Sequence, residues 1–233
     1  MTYIEQHILF ICLNHQNKEI MLNKQKGNMY GFVTHTFNVI KGRCPHNCSY
    51  CYMKRWGKQS ELHFDEKELK TDLGKGNYIF VGSSCDMWAK DIQGEWIQEV
   101  LECCINYPDN TYFFQSKNPG RFIDFPNHPP KKLYCSTIET NRVYKNIMGN
   151  APPPYERELL DIDHITIEPI MDFDIDSFVR LILDQQPIQV NIGADSSRNN
   201  LPEPPKEKII ELIGILEKHT KVYLKKNLNR LLK

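Results

Sequence analysis

What most constrains the fold of this chain is an alternation of short, continuous apolar runs with longer stretches of helical periodicity. The runs are Phe37–Ile40, Tyr78–Gly82, Thr111–Gln115, Leu133–Thr137, Ile165–Ile170, Ile188–Gly193 and Val222–Leu224. They are rich in valine, isoleucine, tyrosine and phenylalanine, and most are too continuous for strands with one wet face. Strands buried on both faces of a parallel sheet read this way. Between them, Ile97, Val100, Leu101 and Cys104 follow the i, i+3, i+4, i+7 spacing of an amphipathic helix. Phe178, Leu181 and Ile182 do the same, with Asp176 or Ser177 as N-cap. So do Ile209, Leu212, Ile213 and Leu216, behind Pro205 in a first helical turn. Repeated strand–helix units imply right-handed crossovers and parallel pairing. Six or seven such units, in a chain shorter than the ~250 residues of an eight-unit barrel, predict an α/β fold of the partial (β/α)6 TIM-barrel type. The pieces Pro126–Pro130, Pro152–Pro154 and Pro202–Pro205 read as loops. Residues 1–28 are poorly patterned, which places one core domain at 29–233.

Composition narrows the partners. Lysine plus arginine and aspartate plus glutamate number 29 each, so no global field draws the chain to nucleic acid or an acidic membrane. No segment reaches the ~20 apolar residues of a membrane span. No basic region precedes the short apolar run Ile8–Leu13, so no secretion signal is read, and Met21 or Met29 is an alternative start. The expected compartment is the cytoplasm. There, eight cysteines stay reduced and do not form a disulfide scaffold.

Their placement is uneven. Cys44, Cys48 and Cys51 fall within eight residues, while Cys12, Cys85, Cys103, Cys104 and Cys135 are scattered. The cluster follows the first predicted strand, in a loop forced by Gly42 and Pro45. Three thiolates on one short loop hold three corners of a cubane iron–sulfur cluster and leave one iron open for a substrate. The same thiolates with His46 or His63 make a Cys3His zinc set, although His46 is poorly spaced to join that tetrahedron. Polar residues follow the other strands, at the end where parallel α/β folds build active sites. They are Gly82 to Asp86, Gln115 to Lys117, Ser136 to Asn141, Glu168, and Asn191 to Asp195.

The spacing Cys-x3-Cys-x2-Cys, with Tyr50 before the last cysteine, resembles the signature of the radical S-adenosylmethionine superfamily. The phrases Val81 to Trp88 and Thr166 to Phe173 resemble a core-only, phage- and bacteria-associated branch, with a more distant likeness to spore photoproduct lyase. The resemblance implies a 4Fe–4S cluster on Cys44, Cys48 and Cys51, S-adenosylmethionine on the open iron, and a 5′-deoxyadenosyl radical that abstracts hydrogen from a substrate. It further implies that the Gly82-Ser83-Ser84 turn holds the cofactor's amino group and that Lys117 meets its carboxylate. By the same resemblance Ser136, Thr137, Glu139 and Glu168 bond its ribose and carboxylate, and Tyr50 packs near its adenine. Cys85 is the candidate hydrogen donor to a product radical. The implied partner is an electron donor such as flavodoxin or ferredoxin.

The substrate is expected by analogy to be a nucleic acid or nucleotide, with only the run Lys221, Tyr223, Lys225, Lys226, Arg230, Lys233 in its favour. That run reads equally as a solvated edge. A peptide-modifying enzyme or activase, and a zinc-stabilised binding module without turnover, are the alternatives.

Overall fold

The computed structural model describes residues 22–25 and 29–233. The short apolar run Ile8–Leu13, Cys12 and Met21 lie outside them.

One sheet organises the chain. Its eight strands are β1 (Asn23–Lys24), β2 (His35–Phe37), β5 (Tyr78–Val81), β6 (Thr111–Ser116), β7 (Lys132–Thr137), β8 (His164–Ile167), β9 (Gln189–Ile192) and β10 (Lys221–Leu224). They pair in that order; only β1 is antiparallel to its neighbour. Seven parallel strands therefore wind in one direction, as barrel strands do. With β1 and β10 as its two edges the sheet stays open, the partial barrel that the alternation implies.

The two faces of the sheet are separated by the two-residue period of each strand. On β6, Tyr112 and Phe114 join the large core under the helices, while Phe113 joins a second cluster with Tyr30, Val33 and Cys135 on the concave side. Tyr30 is anchored there by a 2.8 Å hydrogen bond from its hydroxyl to Gln115 Oε1 and by edge contact with Phe113. Residues 29–33 thereby line the inside of the sheet.

The full helices α2 (Gly94–Ile105), α4 (Ile175–Leu183) and α5 (Lys206–Leu216) bury the apolar positions read from the sequence, except Ile213, which is only partly buried. Three crossovers have no such helix, the one between β2 and β5 carrying only a 3-10 turn and the four-residue helix Glu66–Leu69. After β6 the chain makes a 3-10 turn at Pro119–Asp124, and after β7 one turn of helix, α3 (Lys145–Met148). Prolines at 119, 126, 129, 130 and 152–154 deny these stretches the amide donors that a longer helix requires.

Four boundaries differ from expectation. The first apolar run splits into β2 and β3 (Ile40–Lys41), and β3 pairs instead with β4 (His63–Phe64), ahead of the short helix α1 (Glu66–Leu69). The break falls at Asn38, whose side-chain oxygen accepts from Ser83 and Ser84. Helix α4 begins after Asp174, not after Asp176 or Ser177. Pro205 is the N-cap of α5, not a residue of its first turn. Asn23 and Lys24, ahead of the boundary read at residue 29, add the antiparallel edge.

Candidate functional site

The β3–β4 ribbon closes the base of a loop, residues 42–62, that carries all three clustered cysteines. Gly42 starts it at φ +97, where a Cβ would sit 2.2 Å from the Glu61 carbonyl, so only glycine fits this crossing. The far side of the loop is docked onto the chain around α3. Ser49 N donates to Ile147 O (2.8 Å), Asn150 N to His46 O (2.7 Å), and Asn150 Nδ2 to Pro45 O (3.0 Å). Gly149, at φ +63, lies so close that a Cβ there would meet His46 O at 2.2 Å. Cys48 is buried at this seam, its thiol donating to Met148 O at 3.2 Å.

A largely buried carboxylate ties the loop to the sheet. Asp86 accepts from His46 Nε2 (2.8 Å), Ser116 Oγ (2.9 and 3.0 Å), the Lys117 amide (2.8 Å) and the Trp88 amide (3.0 Å). Burial opposes the His46 cation, but the Asp86 carboxylate outweighs it, so His46 is raised; Asp86 is correspondingly lowered despite its own burial. The His46 Nε2 is thus committed to Asp86. His63 is exposed and bonds the Glu61 carbonyl through Nδ1.

The loop and the C-terminal ends of the strands enclose a cavity of about 340 Å³. Cys44, Cys48, Cys51 and Tyr50 line it from the loop, and Gly82, Ser83, Ser84, Cys85, Lys117, Thr137 and Glu168 from the strand ends. Eleven of the thirteen expected site residues are thus brought to one space. The other two are not: Ser136 is fully buried with its hydroxyl donating to Arg157 O (3.0 Å), and Glu139 is fully buried behind the wall.

Glu139 explains why the wall stands. Its Oε1 accepts from the Tyr50 hydroxyl and the Lys117 ammonium, and its Oε2 takes Arg157 Nη1 at 2.6 Å. Burial alone would raise this carboxyl, but the Arg157 and Lys117 charges override it and bring it to about 2. Arg157, itself fully buried, also donates to Thr137 O (2.9 Å) and Pro152 O (2.7 Å). Nothing in Tyr155-Glu156-Arg157-Glu158 marks it in the sequence as different from a surface arginine.

Ser83 Oγ and the Ser84 amide both bond Asn38 Oδ1, and the Tyr52 hydroxyl donates to Ser83 O at 2.5 Å. The turn begins at Gly82, φ +76. Ser84 Oγ is buried without a partner, a donor and acceptor left over at the cavity. The neighbouring Cys85 thiol, ahead of the opposing burial, lowers Cys44 below the ordinary thiol range. Cys85 is driven up by its Cys44 neighbour and by burial. Cys48 is raised by burial to about 11.

On the opposite side Glu168 accepts from the Lys225 ammonium at 2.5 Å and from Asn227 Nδ2 at 2.7 Å, and the Lys225 cation lies 4.8 Å from the Tyr30 ring centre. Two members of the C-terminal basic run are therefore used internally, Lys225 here and Arg230 on Glu203.

As a donor set, the loop offers three thiols on one cavity. Among the described residues no three His, Cys, Asp or Glu side chains converge on a point that would hold one ion. A tetrahedral zinc site requires such convergence. A cubane does not, because each thiolate binds a different iron. Among the described residues, no helix is long and apolar enough to cross a membrane.

No family model and no curated protein matches the sequence. Two solved structures match the fold. One is a spore photoproduct lyase variant, with a TM-score of 0.58 and 10% identity over 86% of this chain and 78% of that one. The other is a second variant of that enzyme with bound AdoMet and dinucleoside spore photoproduct, at TM-score 0.55 and 10% identity over 88% and 80%. At that identity the likeness is one of fold.

Proposed function

We propose that this chain is a radical S-adenosylmethionine enzyme whose 4Fe–4S cluster is held by Cys44, Cys48 and Cys51. The observation that carries this reading is the loop itself. Its three thiols line one cavity at the strand ends. A neighbour in fold with bound AdoMet adds support. When bound, the cluster and S-adenosylmethionine supply the chemistry: one electron from a donor such as flavodoxin or ferredoxin cleaves the sulfonium, and the 5′-deoxyadenosyl group abstracts hydrogen from the substrate.

The residues of the chain bind and orient. Lys117 offers a compact cation to a carboxylate, held in place by Glu139 and lying 5.2 Å from the Tyr50 ring centre. The unpartnered Ser84 hydroxyl and the backbone of the Gly82 turn suit an ammonium or a hydroxyl. Tyr50, fixed through its own hydroxyl to Glu139, presents a ring face for adenine. Thr137 and Glu168 stand across the cavity for ribose hydroxyls. Cys85 lines the same cavity as the three clustered cysteines.

The test is production of 5′-deoxyadenosine by anaerobically reconstituted, dithionite-reduced protein with S-adenosylmethionine. The parent should release it, and the triple variant Cys44→Ala, Cys48→Ala, Cys51→Ala should release none. Equal yields from both, or none from a fully loaded parent, contradict the proposal.

A further inference from the structure

Cluster and cofactor occupy only part of the cavity that the cysteine loop and the strand ends enclose. Its lining also includes Met29, Tyr30, Phe80, Arg43, Lys54 and Arg55, to which the proposed function gives no role. The first three belong to the apolar cluster on the concave side of the sheet, where Tyr30 is buried with its ring centre 6.3 Å from that of Phe80. The last three are exposed on the cysteine loop. The cavity is therefore apolar at its depth and cationic at its mouth.

The other charges on this cavity are engaged within the protein. Lys117 is paired with Glu139 and Lys225 with Glu168. Asp86 holds His46, and Asp195 Oδ1 accepts from the Ser197 amide (2.9 Å) and from Asn199 Nδ2 (2.8 Å). Arg43, Lys54 and Arg55 form no ion pair among the described residues. Lys54 Nζ donates to Asn47 O at 3.4 Å, and the Arg55 guanidinium lies 5.7 Å from the ring centre of Tyr52, itself on the cavity. Like charges gathered at one mouth repel each other, and a cleft lined by one sign of charge concentrates ligands of the opposite sign. A single carboxylate would match one of these cations. Three of them match the charge of a phosphate or diphosphate, whose oxygens guanidinium groups bind in pairs.

We infer that the substrate is a small organic phosphate, its phosphate held at the mouth by Arg43, Lys54 and Arg55 and its apolar part turned inward to Tyr30 and Phe80; the inference rests on the proposed function. The phosphate binds and orients, and takes no part in bond making or breaking. A nucleic-acid strand carries the same group, but it needs a cationic track that continues past the mouth. In the C-terminal basic run Lys225 and Arg230 are paired internally, which breaks such a track.

The experiment uses the reconstituted, unreduced full chain with S-adenosylmethionine present, so that cluster and cofactor fill their part of the cavity and no turnover occurs. Iron per chain is measured first, and pyrophosphate binding is then followed by anaerobic calorimetry. The parent is compared with the double variant Arg43→Gln, Arg55→Gln and with Lys58→Gln, an exposed cation of the same loop that does not line the cavity. The double variant should bind pyrophosphate at least about tenfold more weakly, and Lys58→Gln should stay within about twofold of the parent. Phenyl phosphate should bind the parent more tightly than inorganic phosphate does, a margin that Phe80→Ala should remove. A loaded parent indifferent to pyrophosphate, an equal loss in both variants, or no margin for phenyl phosphate overturns the inference. So does a single-stranded oligothymidylate that binds more tightly than pyrophosphate and depends on Lys58 as much as on Arg43 and Arg55, which would reassign the mouth to nucleic acid. A parent that takes up no iron refutes the proposed function and this inference with it, whereas a loaded parent that ignores pyrophosphate refutes the inference alone.

Discussion

Glu139 and Glu168 leave neighbouring parallel strands at the same end of the sheet, yet the two walls they support are built differently. Glu139 is fully buried and every partner it has is internal: Tyr50, Lys117 and Arg157. It touches no part of the cavity and holds the residues that do. Glu168 lines the cavity, its side chain 21% exposed, with Lys225 and Asn227 beside it. The first wall is braced from behind by a fully buried carboxylate; the second keeps its carboxylate at the cavity, with the buried Lys225 beside it. A carboxylate ending a core strand is thus either scaffold or contact, and the identity of its partners decides which.

The sharpest way to break this comparison is to remove each carboxylate. Glu139→Ala leaves the buried Arg157 charge without its partner and should cost about 3–5 kcal/mol in the chemical denaturation of cluster-free protein. Glu168→Ala should cost less, about 1–3 kcal/mol, because Glu168 itself is partly exposed at the cavity and Lys225, though buried, keeps the Tyr30 ring. Equal costs would erase the distinction. Glycines sharpen it next. Gly149→Ala drives a Cβ into His46 O from a left-handed backbone and should cost about 1–3 kcal/mol, with iron per chain falling on reconstitution. Gly193→Ala meets only the Glu168 side chain, at 2.7 Å, and its stability should stay within about 0.5 kcal/mol with full iron content and weaker S-adenosylmethionine binding by calorimetry.

The smallest effect is in the pH profile. Glu139 is held at about 2 against an ordinary 4.5, so its contribution is complete above about 4.5 and is lost as pH falls toward 2. Thermal melts of cluster-free protein from pH 6 to pH 3 should therefore fall more steeply in the parent than in Glu139→Gln. Parallel curves would mean that the carboxyl is not depressed.

The strands could be read from the sequence because burial on both faces leaves continuous apolar runs, and the cysteine loop because its spacing is local. Three features could not. Arg157 gains its meaning from a carboxylate 18 residues away across the fold. The contacts that dock the cysteine loop at Ile147–Asn150 are set by tertiary approach, with Gly149 the only local trace. The direction of a side chain at a strand end is fixed by register, and this separates Thr137, which faces the cavity, from Ser136, which faces away.

The central claim is that Cys44, Cys48 and Cys51 hold a cluster with one open iron. Its most direct test is electron paramagnetic resonance of the reduced, reconstituted protein before and after adding S-adenosylmethionine, with iron and zinc measured on the same sample. The account predicts about four irons per chain, a signal that changes shape when S-adenosylmethionine is added, and loss of that signal in each single cysteine-to-alanine variant. Stoichiometric zinc without a signal, or a signal indifferent to S-adenosylmethionine, would contradict it.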